Sequence, residues 1–158
     1  MVYRKEVRFM DQDGLKLDNQ LCFKIYSVSK AMIRLYKPIL QNLNLTYPQY
    51  LVMLILWEYE RISFKDMSNN LKMKTGTLTP ILNNLESQGQ LCRVKDEKDE
   101  RKVYIQITSN GIKLKEQALS VPDEISCRAK LSMEEYFRYM KEFNELLGKL
   151  DDVEKYRY

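Results

Sequence analysis

Cys22 is the side chain in this sequence best placed to do chemistry. It sits in Leu17-Asp18-Asn19-Gln20-Leu21-Cys22-Phe23-Lys24-Ile25-Tyr26, which reads as amphipathic helix, with Tyr26 one turn further on the same face. The thiolate is the reactive form of cysteine, and phenol hydroxyls stabilise it by donating hydrogen bonds. Two more phenols, Tyr36 and Tyr47, follow in apolar surroundings. An arbitrary cysteine is ordinarily a small core residue. Here the rest of the chain argues otherwise.

The other two cysteines, Cys92 and Cys127, make no C-x-x-C pair with Cys22 or each other, so a zinc cluster is not expected. Histidine is absent, which removes the usual general base and most transition-metal sites. No glycine-rich phosphate loop occurs among the five glycines. The composition therefore predicts no metal, no cofactor and no conventional enzyme activity. Leu51 to Trp57 is the longest apolar run, far short of the ~20 residues of a membrane span. The Met1-Val2-Tyr3-Arg4-Lys5 start lacks the apolar stretch of an export signal. Free thiols in an odd number then point to the reducing cytoplasm.

The elements that must position these residues are mostly helical. Residues 1–14 read as a flexible polar arm, in which Met10 is an alternative start. Apolar residues at Leu17, Leu21, Ile25, Val28, Met32 and Leu35 predict a long helix from Leu15 to about Tyr36, with Pro38 kinking or restarting the chain before a short helix to about Asn42. Thr46 and Pro48 mark a helix entry, and Gln49 to Glu60 is apolar on most faces, so it belongs in a core. Ser63 caps Phe64 to Asn70, with Met67 and Leu71 inward, and a further helix runs from Thr75 or Thr77 to Gly89. The period then changes: Leu91–Val94 and Val103–Ile107 read as strands around a charged turn, Cys92 taking an inward strand position. Thr108 caps a helix to about Leu119, Pro122 marks a break, and helix fills Glu124 to Leu150 before a polar tail, residues 151–158.

Helix, turn, helix and a hairpin with a basic tip make a winged helix-turn-helix, so the fold class is mainly α with a small β-hairpin wing. In that arrangement the second helix enters the major groove of double-stranded DNA and its N-terminal residues reach base edges. Lys74, Thr75, Gly76, Thr77 and Thr79 stand there, where hydroxyls and the helix N-terminus suit bases or phosphates. The hairpin sets Arg93, Lys95, Lys98, Arg101 and Lys102 against Asp96, Glu97, Asp99 and Glu100. That balance is what a solvated hairpin would also show, but an acidic residue such as Asp99 can hold Arg101 for entry into the minor groove.

Asp99-Glu100-Arg101, a short apolar strand and Ile107-Thr108-Ser109-Asn110-Gly111 resemble the wing and following helix start of the MarR family. The resemblance extends upstream through Thr75-Gly76-Thr77-Leu78-Thr79-Pro80-Ile81-Leu82-Asn83-Asn84-Leu85-Glu86. Asn19-Gln20-Leu21-Cys22-Phe23, Tyr36-Lys37-Pro38 and Leu45-Thr46-Tyr47-Pro48-Gln49-Tyr50-Leu51 narrow it to the organic-hydroperoxide-sensing branch. The resemblance implies one MarR-like domain over residues 15–150, with the winged helix-turn-helix at about 45–108 and dimerisation helices at about 15–42 and 109–150. It also implies a homodimer on a pseudo-palindromic operator. Cys22 matches the peroxide-reactive cysteine, Tyr36 and Tyr47 the phenols that bond its sulfur across the dimer, and Tyr26 a further tyrosine near it. Arg101 matches the minor-groove arginine, with Asp99 supporting it. Lys74 and the Asn83-Asn84 pair depart from the family pattern, an acidic residue and a basic pair being common at these positions.

Two-cysteine members of the family carry a resolving cysteine in the region of Cys127, so the resemblance implies an intersubunit disulfide between Cys22 and Cys127; otherwise Cys127 is a surface or half-buried residue and a small thiol caps Cys22. Two alternatives to the redox repressor stand beside it, a MarR-type repressor answering a small aromatic ligand and a thiol peroxidase using Cys22 and Cys127.

Overall fold

The computed structural model of the chain describes residues 12–96, 99 and 102–155. Residues 1–11, which make up most of the expected arm, lie outside this set. Among the described residues, seven α-helices and three strands follow one another as α1 (Leu21–Gln41), α2 (Tyr47–Tyr59), β1 (Arg61–Ser63), α3 (Phe64–Leu71), α4 (Thr75–Ser87), β2 (Leu91–Lys95), β3 (Val103–Ile107), α5 (Ser109–Ala118), α6 (Val121–Ala129) and α7 (Met133–Lys155). The strands pair antiparallel in the order β1-β3-β2. This is the mostly helical winged fold expected from the sequence, with one strand more than the hairpin.

Local signals account for most boundaries. The Ser63 hydroxyl accepts from the Asp66 N–H at the start of α3, and Thr108 accepts from the Gly111 N–H at the start of α5. At the start of α2, Gln49 Oε1 accepts from the Thr46 N–H at 2.7 Å, while its Nε2 donates to Asn84 on α4. Buried Gln49 therefore ties a helix entry to α4. Gly89 takes φ +70°, the left-handed turn that ends α4. Gly111 is required for another reason: a Cβ there would stand 2.3 Å from the Gln90 carbonyl oxygen.

Four expectations are corrected. First, α1 begins at Leu21 rather than Leu15, because Gln12–Leu15 and Leu17–Asn19 form short 3-10 turns. Asp18 and Asn19 are residues whose short polar side chains compete with helical bonding. Second, α1 runs through Pro38 to Gln41 without restarting. Arg34 and Pro38 are both exposed, so the carbonyl that Pro38 leaves without a helical donor can meet water. Third, α7 continues past Asp151 to Lys155. Fourth, Cys92 faces outward: strand alternation sends buried Leu91 inward and pairs half-buried Cys92 with Gln106 on the opposite face. Pro122 sits beside the break between α5 and α6, as expected, in the first turn of α6.

The core is centred on the winged lobe and continues into Ile39 and Leu40 of α1 and Val121 and Ile125 of α6. Met53 and Leu56 of α2, Met67 of α3, Leu78, Leu82 and Leu85 of α4, Leu91 of β2 and Ile105 of β3 are fully buried around one another. Trp57 on α2 donates to the Gly111 carbonyl at 2.9 Å, and Lys115 donates to the Trp57 carbonyl, which fixes α5 to the lobe. α6 packs on α1 through Val121 and Ile125. No helix among the described residues is long and apolar enough to cross a membrane.

Candidate functional site

Cys22 occupies the first turn of α1 and is exposed. Tyr26, one turn on, is also exposed, and its hydroxyl accepts from Lys30 Nζ at 3.2 Å. Tyr36 lies near the other end of the same helix, fourteen residues and about 21 Å along the axis from Cys22. No contact between that thiol and that phenol forms within one chain.

The phenols, by contrast, are brought together. The turn from α1 to α2 places the Tyr36 and Tyr47 rings 4.9 Å apart, and Tyr50 stands 5.9 Å from Tyr36. Trp57 closes on Tyr50 edge-on at 6.1 Å. Burial, followed by the neighbouring Tyr47, Tyr50 and Tyr136 hydroxyls, pushes the Tyr36 phenol up to about 12. Burial raises Tyr47 as well, and burial with Tyr47 alongside raises Tyr50. All three phenols therefore keep their protons at neutral pH. They are hydrogen-bond donors, suited to a thiolate or another anion. Tyr50 was not singled out from the sequence; its 5 % exposure and place in the stack add it to this cluster.

Cys127 is exposed on α6, and neither it nor Cys22 is in a disulfide. No group of three or more metal-ligating side chains occurs among the described residues.

The second candidate surface is the face of the winged lobe. Lys74 precedes α4 in extended conformation, and Thr75, Gly76 and Thr77 are exposed on its first turn. A Cβ on Gly76 would meet nothing within 4 Å, so packing within the chain does not demand glycine there. Thr79 is half-buried and lines a groove of about 670 Å³ between α3, α4 and the hairpin, together with Lys65, Asn83, Arg93, Lys102 and Tyr104. Arg61 stacks on the Tyr104 ring, 4.4 Å from its centroid. In the hairpin, the Lys102 N–H donates to the Asp99 carbonyl and the Asp99 N–H to Asp96 Oδ1. Lys98 and Arg101 lie outside the described residues, and with them the Asp99–Arg101 pairing.

Arg93, counted among the basic residues of the hairpin, is turned toward α4. Its backbone N–H and guanidinium both donate to the Glu86 carboxylate, and Nη2 donates to Asn83 Oδ1 at 2.8 Å. The residues are seven and ten apart, across a helix-to-strand turn, where neither helical nor strand periodicity signals a contact.

Residues 34–118 match the family described as transcriptional regulator SarA/Rot. The chain is 47 % identical over 123 residues to the organic hydroperoxide resistance transcriptional regulator of Bacillus subtilis, covering 78 % of this chain and 84 % of that one. The structure of reduced AbfR bound to DNA superposes with a TM-score of 0.75 at 35 % identity, covering 91 % of this chain and 99 % of the other. A disulfide-formed AbfR, a protein of Staphylococcus epidermidis, superposes with a TM-score of 0.59 at 34 % identity, covering 91 % and 96 %.

Proposed function

The chain belongs to the MarR family of winged-helix transcriptional regulators, in its organic-hydroperoxide-resistance branch, and on that premise we propose a homodimeric repressor that leaves its operator when an organic hydroperoxide oxidises Cys22. The observation that carries the reading is the division of the sensing groups along α1. An exposed thiol stands at one end and a cluster of protonated phenols at the other, too far apart to meet unless a second copy brings its own α1 alongside. The apolar residues that α1 and α7 leave open, among them Val28, Phe137 and Phe143, suit that second copy.

In the reduced dimer, Tyr36 and Tyr47 of one subunit donate hydrogen bonds to Cys22 of the other. The Cys22 thiolate attacks the distal oxygen of the hydroperoxide; the O–O bond breaks, the alcohol leaves after protonation, and Cys22 becomes a sulfenic acid. A Cys127 thiol of the partner then attacks that sulfur, forming the disulfide and releasing water. Exposure of both thiols supports this order of events. The disulfide draws the helical region of α6 toward the partner's α1 and shifts a two-state dimer away from the arrangement that spans both half-sites. Lys74, Thr75, Gly76, Thr77 and Thr79 meet the major groove, while Lys98, Arg101 and Lys102 serve the wing, with Asp99 supporting Arg101. The open space over Gly76 leaves the helix start clear for close approach of DNA.

Cys22→Ser tests the assignment by fluorescence anisotropy on DNA from upstream of the protein's own gene. It is expected to bind as the reduced parent does and to stay bound after peroxide. Release as complete as the parent's would show that oxidation acts elsewhere. Cys127→Ser, run on a non-reducing gel after oxidation, is expected to lose the covalent dimer; a dimer still linked through Cys22 would point to another resolving thiol.

A further inference from the structure

A guanidinium only donates, so the Asn83 atom facing Arg93 Nη2 is its oxygen, and the amide is held in one of its two orientations. Glu86 holds Arg93 in turn by accepting from both its backbone N–H and its guanidinium, so the fork cannot swing away without breaking an ion pair. The exposed Asn83 amide is thereby left presenting its NH₂ alone, and no described residue accepts from it. Asn83 lies on the face of α4 that carries Thr75 and Thr79, four residues apart each, and shares the groove with Thr79 and Lys102. It stands eight residues, about 12 Å, beyond Thr75 along the helix. The major groove is about 12 Å wide. With Thr75 at base edges, Asn83 reaches the phosphate strand at the border of the groove.

We propose that Asn83 is a phosphate-binding residue of the recognition helix, fixed as a pure donor by the Arg93–Glu86 pair, and that Arg93 is its positioning residue rather than a DNA contact. The inference rests on the DNA-binding reading above. A neutral donor on a phosphate adds affinity without releasing a counterion, and it is indifferent to base sequence.

The test is anisotropy of the reduced dimer on the upstream duplex and on a scrambled duplex of equal composition, each over a range of salt. Asn83→Ala is expected to weaken both duplexes by about tenfold, with the salt slope unchanged. Asn83→Lys is expected to steepen the slope of log affinity against log salt by about 0.9. Arg93→Met, which keeps the bulk of the stem, is expected to weaken both duplexes without flattening the slope, and combined with Asn83→Ala to cost no more than Asn83→Ala alone. Loss on the upstream duplex only would make Asn83 a base contact and overturn the proposal, as would no loss at all or an unchanged slope for the lysine variant. A flatter slope in Arg93→Met, or additive losses, would overturn the positioning role. Failure of the unsubstituted dimer to bind either duplex defeats the DNA-binding reading first, before any variant is compared.

Discussion

In the winged lobe, Leu56, Met67, Leu78, Leu82 and Leu91 are sealed from solvent within a single chain, whereas α7 leaves Phe137, Met140, Phe143 and Leu147 open and α1 does the same with Leu21 and Val28. The contrast separates two tasks. Reading DNA calls for a lobe whose shape does not depend on its neighbours, with the recognition helix tied down by Gln49 at one side and by Arg93 at the other. The proposed sensing would use helices that leave apolar faces open in a single chain, so that a chemical change where two copies meet would alter how two finished lobes are set apart.

The largest effect is expected where the contrast is sharpest. Phe143→Asp places a charge on the open face of α7 and should dissociate the dimer, measured by light scattering, with a loss of DNA affinity above about a hundredfold because two half-sites are no longer engaged together. The lobe of that variant should keep its far-ultraviolet spectrum; a lobe that unfolds with it would erase the distinction between the regions. Leu82→Ala should do the reverse, costing about 2–5 kcal/mol in chemical denaturation by opening a cavity in the lobe core. Its cost should remain when protein concentration is changed, and a strong concentration dependence would count against a self-sufficient lobe. Gly111→Ala, which drives a Cβ into the Gln90 carbonyl, should cost about 1–3 kcal/mol by the same measurement.

The smallest effect concerns pH. Tyr36 has its ordinary value of 10.0 in the unfolded chain and about 12 when folded. Between those values the unfolded chain gives up the proton first, so stability carried by the protonated phenol is whole below pH 10 and is lost as pH rises through about 12. Melting scans from pH 8 to 12 should therefore fall less steeply for Tyr36→Phe than for the parent; identical curves would place Tyr36 in solvent.

Much of the lobe was readable because its signals are local. Ser63 and Thr108 cap helices from fixed offsets, Gly89 ends one, and the switch from helical to strand period marks β2 and β3. The strand β1 escaped because three residues carry no periodicity and are defined only by pairing with β3, more than forty positions away. The outward turn of Cys92 was missed because Leu91-Cys92-Arg93-Val94 is apolar at three of four places, and the face was settled by Arg93 reaching back to Glu86. Continuity of α1 through Pro38 depended on where water lies. At the candidate site, the sequence singled out Tyr36 and Tyr47, whose rings do come together; it could not reveal Tyr50, whose place in the stack follows from how α1 and α2 pack. The Asn83–Arg93–Glu86 contact likewise exists only once helix and strand have packed.

The most direct measurement is the affinity of the wild-type dimer for its upstream DNA when reduced, after one equivalent of cumene hydroperoxide per chain, and again after dithiothreitol. Tight binding, loss of binding and recovery, in that order, is the result predicted for a reversible thiol switch at Cys22. Affinity that peroxide leaves unchanged would contradict it, return Cys22 to the rank of an ordinary surface thiol, and leave a small ligand as the signal.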